Sequence, residues 1–168
     1  MTDATVADAS DSVKATAASD SARARAALLG DDALGVVAYR TDGPASDGHV
    51  ETLTGTGRGV RPLLQWLASG VRLDGFSAAD RVVGKGAALL YAKLGVRSVW
   101  AATMSEAGLA ALRAHGIDAS YGTLVPVILD RERTGMCPIE RSVERIGVGD
   151  LNEAEIAIRA AVARLMGR

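Results

Sequence analysis

The chain is poor in the residues that build common metal and redox sites. Its 168 residues include two histidines and one cysteine. A zinc site needs three or four cysteine, histidine or carboxylate ligands, and an internal disulfide needs two cysteines. These counts argue against a zinc centre of the usual kind, and we expect neither a metal nor a cofactor. A single cysteine is also typical of a reducing compartment, so we expect a cytoplasmic protein.

Charge imbalance and long apolar runs are also lacking. The chain carries 19 basic and 20 acidic side chains, for a net charge of −1, so it offers no electrostatic footprint for nucleic acid or for an anionic membrane surface. No apolar run is long enough to cross a bilayer, and the N-terminus has no signal-peptide core. Hydrophobic residues make up 48% of the chain although aromatics make up only 4%. We therefore expect a soluble domain with an aliphatic core.

The residue pattern predicts one domain after a polar tail. Residues 1–19 are rich in Ala, Ser, Thr and Asp and predict a disordered tail, which leaves residues 20–168 as a single domain. The first helix is expected to begin at Ser19 or Ser21 and to end at Leu29. The other predicted helices are 61–68, 85–94, 106–115, 137–145 and one that begins at Asp150 or Asn152.

The predicted strands are separated by helices and turns. They are 35–40 and 49–54, which form a hairpin across a 41–48 loop, and then 96–103 and 121–129. Residues 69–79 are predicted to be a loop. A hairpin followed by β-α-β units predicts a mixed sheet with helices on both faces, which is an α/β fold.

A lysine begins the most apolar of the predicted helices. Residues 85–94 are apolar nearly all the way round, so this helix should lie at the centre of the fold. Lys85 lies between Gly84 and Gly86, at the positive end of the helix dipole, where a cation is disfavoured by about 0.3–1 kcal/mol. A negative group should offset the charge of Lys85 there. It would be either the carboxylate of Asp80, in an ion pair with Lys85, or an anion bound by the free backbone N–H groups.

The only cysteine lies at another predicted helix start. Pro138 favours the first helical position, which leaves Cys137 as the N-cap. Unsatisfied N–H donors there favour the thiolate, which is the nucleophilic form. The alternative is a small buried cysteine at a helix start. Glu140 fits either a capping acid or a general acid–base group.

Familiar catalytic motifs are incomplete. His49-Val50-Glu51 matches the His-x-Glu half of a deaminase zinc motif, but the Pro-Cys-x-x-Cys half is absent. His115 lies near a predicted helix end and favours a surface role. Gly84-Lys85 lacks the earlier glycine and the following hydroxyl residue that a phosphate-binding P-loop requires. Neither a zinc motif nor a P-loop is therefore predicted.

Several of these segments carry a resemblance to a known family. Residues 57–62, 80–88, 120–126 and 134–140 resemble a small bacterial family of unknown function that is grouped with the cytidine-deaminase-like superfamily. The resemblance covers about residues 22–147 and implies a three-layer α-β-α sandwich with a mixed sheet of four or five strands. In that fold the zinc motifs begin the helix after the hairpin and the helix after the third strand. We expect those helix starts at 84–86 and 104–106, where no zinc ligands occur.

The leading functional hypothesis is a pocket between two converging helix starts. The ligand-binding residues we expect there are Gly84, Lys85, Gly86, Ser105 and Glu106. Positive helix ends favour a small anionic or nucleotide-like molecule, and metal-free chemistry would then fall to Lys85, Cys137, Asp80 or Glu140. The alternative is a non-catalytic regulatory or scaffold domain that kept a deaminase-like fold and lost its chemistry. The apolar 85–94 helix and the hairpin are also compatible with a homodimer.

Overall fold

The computed structural model describes residues 4–41 and 48–167. The helices are α1 Ala4–Leu29, α2 Arg61–Ala68, α3 Lys85–Leu94, α4 Glu106–Ala114, α5 Pro138–Val143 and α6 Leu151–Met166. The strands are β1 Leu34–Thr41, β2 Val50–Thr56, β3 Ser77–Val83, β4 Ser98–Ser105 and β5 Asp118–Val125. None of the helices in the described part of the chain is long and apolar enough to cross a membrane.

The strands form one mixed sheet in the order β2-β1-β3-β4-β5. β1 is antiparallel to both β2 and β3, whereas β3, β4 and β5 are parallel. The larger core cluster lies on one face of the sheet and unites it with α2, α3, α4 and α6. A smaller cluster lies on the other face, where Ala24 and Leu28 of α1 pack against Val37, Ala79 and Trp100. The predicted hairpin and α/β fold with helices on both faces are confirmed.

The central strand β3 was not predicted. Its residues 77–79 fall in the predicted 69–79 loop, yet residues 77–80 are all buried. Alanine and aspartate have low β-propensity, so the local sequence Ser77-Ala78-Ala79-Asp80 gives no strand signal. Pairing on both sides, with β1 and β4, sets the conformation instead. The last two strands also differ from the predicted 96–103 and 121–129 by two to four residues.

Helix α1 begins at Ala4, so the predicted start at Ser19 or Ser21 is wrong and residues 4–19, expected as a disordered tail, are helical. Alanine has the highest helix propensity, so an alanine-rich segment is helical without a large apolar face. The buried carboxylate of Asp20 accepts hydrogen bonds from the backbone N–H and the hydroxyl of Thr41, which tie the helix to β1. Residues 1–3, 42–47 and 168 lie outside the described residues, and with them most of the predicted 41–48 loop. The single domain 20–168 stays a prediction.

Helix α3 has the predicted bounds and the predicted central position. Most of its residues are buried, from Gly86 to Leu94. It ends at Gly95, whose φ of 84° is left-handed and favours glycine. Most of the apolar surface of α3 is therefore covered within the chain, and a homodimer stays a prediction.

Candidate functional site

A cleft of about 480 Å³ lies at the end of the sheet where β2 and β3 finish and β1 begins. Residues 32–35, 57–59 and 80–82 line it. Its volume lies within the range of about 300–1,000 Å³ that is typical of small-molecule sites. Open α/β sheets commonly bind their ligands just outside the carboxyl ends of strands. Size and position make this cleft a candidate binding site.

Asp80 lines the cleft although only 4% of its surface is exposed. Its Oδ2 accepts a 2.6 Å hydrogen bond from the hydroxyl of Tyr91 in α3, and its Oδ1 accepts one of 3.3 Å from the Val82 N–H. Burial raises the pKa of Asp80 from its ordinary 3.8 to about 6, although the Tyr91 hydrogen bond opposes this. No lysine or arginine of the described residues forms an ion pair with it. Acids with such raised pKa values, placed in clefts, are candidates for functional groups.

The glycine-rich loop before α2 supplies a cation to the same cleft. Arg58 is exposed, and it makes no hydrogen bond or ion pair within the part of the chain that the structure describes. Gly57 and Gly59 on either side add no side chains, so the guanidinium stays accessible. The sequence-based hypothesis missed Arg58. The available signal was an arginine between two glycines directly ahead of a helix start.

Hydrogen bonds from Arg81 and the close packing of Gly35 on Gly57 position the remaining wall of the cleft, residues 32–35. Arg81 turns towards α1 and donates hydrogen bonds of 2.8–3.1 Å to three backbone carbonyls, those of Leu28, Asp31 and Leu34. It therefore fixes the end of α1 against the start of β1. A Cβ at Gly35 would lie 2.3 Å from the carbonyl oxygen of Gly57. Only glycine therefore allows these two walls to approach so closely.

The start of α3 is closed by a carboxylate from α5. The Oε2 of Glu140 accepts a 2.7 Å hydrogen bond from the Lys85 N–H, and its Oε1 accepts one of 2.9 Å from the Gly86 N–H. Glu140 is 8% exposed. The negative group that the sequence predicts at the N-terminus of α3 is therefore the carboxylate of Glu140. Glu140 is therefore a capping acid, but of α3 rather than of the helix that contains it; a general acid–base role stays a prediction.

The side chain of Lys85 reaches the C-terminal end of α5, the short helix that carries Glu140. Its Nζ donates hydrogen bonds of 2.6 Å to the Ile146 carbonyl and 3.4 Å to the Glu144 carbonyl. The predicted ion pair between Lys85 and Asp80 is therefore wrong, because Asp80 accepts from Tyr91 instead. A catalytic role of Lys85 stays a prediction.

The second predicted helix start does lie against the first. Ser105 is buried, and its hydroxyl accepts a 3.0 Å hydrogen bond from the Gly108 N–H, as predicted for an N-cap. A Cβ at Gly108 would lie 2.8 Å from the carbonyl oxygen of Val83 and 2.9 Å from the carbonyl carbon of Gly84. The first turn of α4 thus packs on the backbone that enters α3. Glu106 is exposed in that turn, and a ligand-binding role of these residues stays a prediction.

Cys137 is the N-cap of α5, as predicted, and is half-buried. Its N–H donates a 2.9 Å hydrogen bond to the Ile128 carbonyl. Three residues later on the same helix lies Glu140, so α5 brings the cysteine segment to the start of α3. The thiol's reactivity stays a prediction. The described residues contain no group of three or more histidine, cysteine or acidic side chains arranged for a metal ion.

The helix starts expected from the resemblance must be reassigned. The helix that follows the hairpin is α2, which begins at Arg61, and the helix that follows the third strand is α3, which begins at Lys85. The expected positions, 84–86 and 104–106, are the starts of α3 and α4, each one helix later along the chain. The second was displaced because β3 was not predicted, whereas the first passed over α2, which the sequence does predict. The cleft itself lies between the loop that enters α2 and the strand that enters α3.

Comparison with known proteins gives a family and a fold. Residues 45–160 match the model of the TM1506 family, described as a domain of unknown function (DUF1893). A crystal structure of a DUF1893 family protein from Thermotoga maritima is similar, with a TM-score of 0.66 and 22% identity over 86% of this chain and 90% of that chain. A deaminase/reductase from the same organism, named for diaminohydroxyphosphoribosylaminopyrimidine and 5-amino-6-(5-phosphoribosylamino)uracil, matches with a TM-score of 0.35 and 17% identity over 52% of this chain and 29% of that one. No curated protein matches the sequence.

Proposed function

The chain belongs to the DUF1893 family, and we propose that it binds a small anionic or nucleotide-like molecule, without a metal, in the cleft lined by residues 32–35, 57–59 and 80–82. The observation that carries this proposal is Asp80, a buried acid that forms no salt bridge among the described residues, in a cleft of ligand size. A buried charge without a partner costs stability. Such a cost is typical of residues kept for function.

The two charged groups of the cleft suit different parts of one ligand. Arg58 presents a planar guanidinium, which binds phosphate or carboxylate groups through paired hydrogen bonds. The carboxylate of Asp80 accepts hydrogen bonds, so it favours an N–H or O–H donor such as the amino group of a nucleobase. An anionic group at Arg58 and a donor group at Asp80 together describe a nucleotide-like molecule.

Asp80 is also the cleft residue best suited to move a proton. Its pKa of about 6 lies close to neutral pH, which is where a general acid–base group is most effective. The hydroxyl of Tyr91 donates to one carboxylate oxygen, and the other accepts a long hydrogen bond of 3.3 Å from the Val82 N–H. A reaction in this cleft would therefore use Asp80 as its acid or base.

A thermal-shift screen of nucleotides and phosphorylated metabolites tests the proposal. We expect at least one compound to raise the Tm of the wild type. Arg58→Ala should weaken its binding by about tenfold or more, because a charge-assisted hydrogen bond contributes about 1.5–3 kcal/mol. Arg61→Ala is the matched control, since this exposed arginine lies three residues away and does not line the cleft. A hit that Arg58→Ala and Asp80→Asn leave unchanged would place the ligand elsewhere.

A non-catalytic scaffold or regulatory role is the second candidate. The observation that favours it is the start of α3, where Glu140 and Lys85 are both engaged by the chain itself. This role predicts that Cys137 reacts with iodoacetamide at neutral pH no faster than free cysteine. A rate well above that of free cysteine would count against the scaffold role and in favour of cysteine chemistry.

A further inference from the structure

Two acids and two arginines line the cleft, but one of the arginines is already engaged. The acids are Asp32 and Asp80, and the arginines are Arg58 and Arg81. Arg81 turns its guanidinium to three backbone carbonyls. Asp32 is exposed, and within the described residues its side chain forms no hydrogen bond or ion pair. A ligand with only negative charge would therefore meet two acids in the cleft and one accessible cation, Arg58.

Asp80 is the more buried of the two acids, with only 4% of its surface exposed. Its hydrogen bonds come from the Tyr91 hydroxyl and the Val82 N–H, which are both neutral donors. Among the described residues it forms no salt bridge. Within that part of the chain the carboxylate therefore has hydrogen-bond donors but no ion-pair partner.

The surroundings of Asp80 make its charge costly. Burial raises the pKa of Asp80 to about 6, although Tyr91 and the charge of Arg81 in the same strand oppose the shift. The other ionisable groups of the cleft, Asp32 and Arg58, lie in its other walls. At pH 7 the carboxylate is mostly ionised. A buried anion without an ion-pair partner attracts a cation strongly, because little water screens the pair.

We propose that the ligand of this cleft is a small zwitterion, whose cationic group, an ammonium or an amidinium, contacts Asp80 while its anionic group contacts Arg58. The inference rests on the function proposed for the cleft and narrows its ligand class, because a molecule with only negative groups leaves the charge of Asp80 uncompensated. A neutral amino group satisfies the hydrogen bonding but not the charge. Since a cation favours the ionised carboxylate, binding is linked to the loss of the Asp80 proton.

Matched pairs of sulfonates test the proposal, because their charges do not change between pH 5 and pH 7. Aminoethane-, aminopropane- and aminobutanesulfonate carry an ammonium and a sulfonate at increasing spacing, whereas ethane-, propane- and butanesulfonate lack the ammonium. Dissociation constants are measured by NMR titration of the isotope-labelled wild type. At pH 7 we expect at least one aminoalkyl sulfonate to bind about tenfold more tightly than its alkyl partner. This ratio should fall by about fivefold at pH 5, where Asp80 is mostly protonated.

Three variants assign the preference for the ammonium to one residue. In Asp80→Asn the two members of each pair should bind alike at both pH values. In Arg58→Ala both members should be weakened by the same factor, because the sulfonate is common to them. Asp118→Asn is the matched control, since that exposed aspartate of β5 lies outside the cleft and its variant should keep the wild-type ratio.

Several outcomes would overturn the proposal. Equal binding of both members of every pair by the wild type is one, and no binding of any aminoalkyl sulfonate is another. Loss of the preference in Asp32→Asn but not in Asp80→Asn is a third. If a nucleotide or a phosphorylated metabolite still binds through Arg58 in these cases, the function of the cleft stands and only the zwitterion is refuted. If no compound shifts the signals of the cleft residues, both proposals are refuted.

Discussion

The buried acid of the cleft makes a prediction about stability and pH. Burial raises the pKa of Asp80 from 3.8 to about 6. One pKa unit corresponds to about 1.4 kcal/mol, so about 3 kcal/mol of unfolding free energy is linked to this proton. Because the folded-state pKa is the higher one, the folded protein keeps the proton that the unfolded chain has released. This stabilisation is complete below the unfolded pKa and is lost as the pH rises through about 6.

Asp80→Asn should remove this dependence, because asparagine stays neutral at every pH. Its amide oxygen can still accept the hydrogen bond from Tyr91, although a bond to a neutral acceptor is weaker by about 1 kcal/mol. At neutral pH we therefore expect the variant to be more stable than the wild type by about 1–3 kcal/mol. Near pH 4 the advantage should disappear.

The assay is urea unfolding followed by circular dichroism, at a series of pH values from below 4 to above 7. The quantity of interest is the difference in unfolding free energy between Asp80→Asn and the wild type, since other groups titrate in both proteins. Asp118→Asn is the matched control, because that aspartate is exposed in β5 and its variant should follow the wild type throughout. A destabilised Asp80→Asn variant with the pH dependence of the wild type would refute the reasoning.

Three further variants test the contacts around the cleft and α3. Gly84→Ala should lower the unfolding free energy in urea by about 2–4 kcal/mol, because its Cβ displaces Glu140 from two charge-assisted hydrogen bonds. Added to Glu140→Ala, the same substitution should cost little further stability, and fully additive losses would count against the shared contact. Arg81→Ala should cost about 2–4 kcal/mol, since it frees three backbone carbonyls, and Arg81→Lys should restore only part of this because an ammonium lacks the planar fork. Hydrogen bonds from Lys93 and Arg159 lower the pKa of Glu155, so the stability that its carboxylate contributes should be lost as the pH falls through the folded-state pKa. Glu155→Gln should therefore lose less Tm on acidification than the wild type does, and an equal loss in both proteins would contradict this.

The sequence predicts the helices better than the sheet. Capping and glycine signals place α2 and α3 at their observed bounds, because Pro62 at a helix start and Gly95 at a helix end act locally. The central strand has no such signal. Residues 77–80 form β3 only because neighbouring strands pair with them on both sides, and a single sequence does not display that pairing.

The same limit applies to the candidate site. Asp80 and Lys85 are visible in the sequence as charges beside an apolar helix, and their proximity suggested an ion pair. In the structure Asp80 accepts a hydrogen bond from Tyr91, whereas Lys85 donates to the carbonyls of Glu144 and Ile146. Glu140 reaches Lys85 across 55 positions of the chain, a distance that no local pattern spans. Asp80 and Lys85 were thus predictable as candidate residues, but Arg58 was not, and the partners of all three were set by tertiary packing.

The most direct test of the proposed function is an NMR titration. The strongest compound of the thermal-shift screen is added to isotope-labelled protein, and the backbone amide signals are followed. We expect the shifts to centre on residues 32–35, 57–59 and 80–82 and to vanish in Arg58→Ala. Shifts centred instead on the start of α3, or equal shifts in the Arg58→Ala variant, would contradict the assignment of the cleft as the binding site.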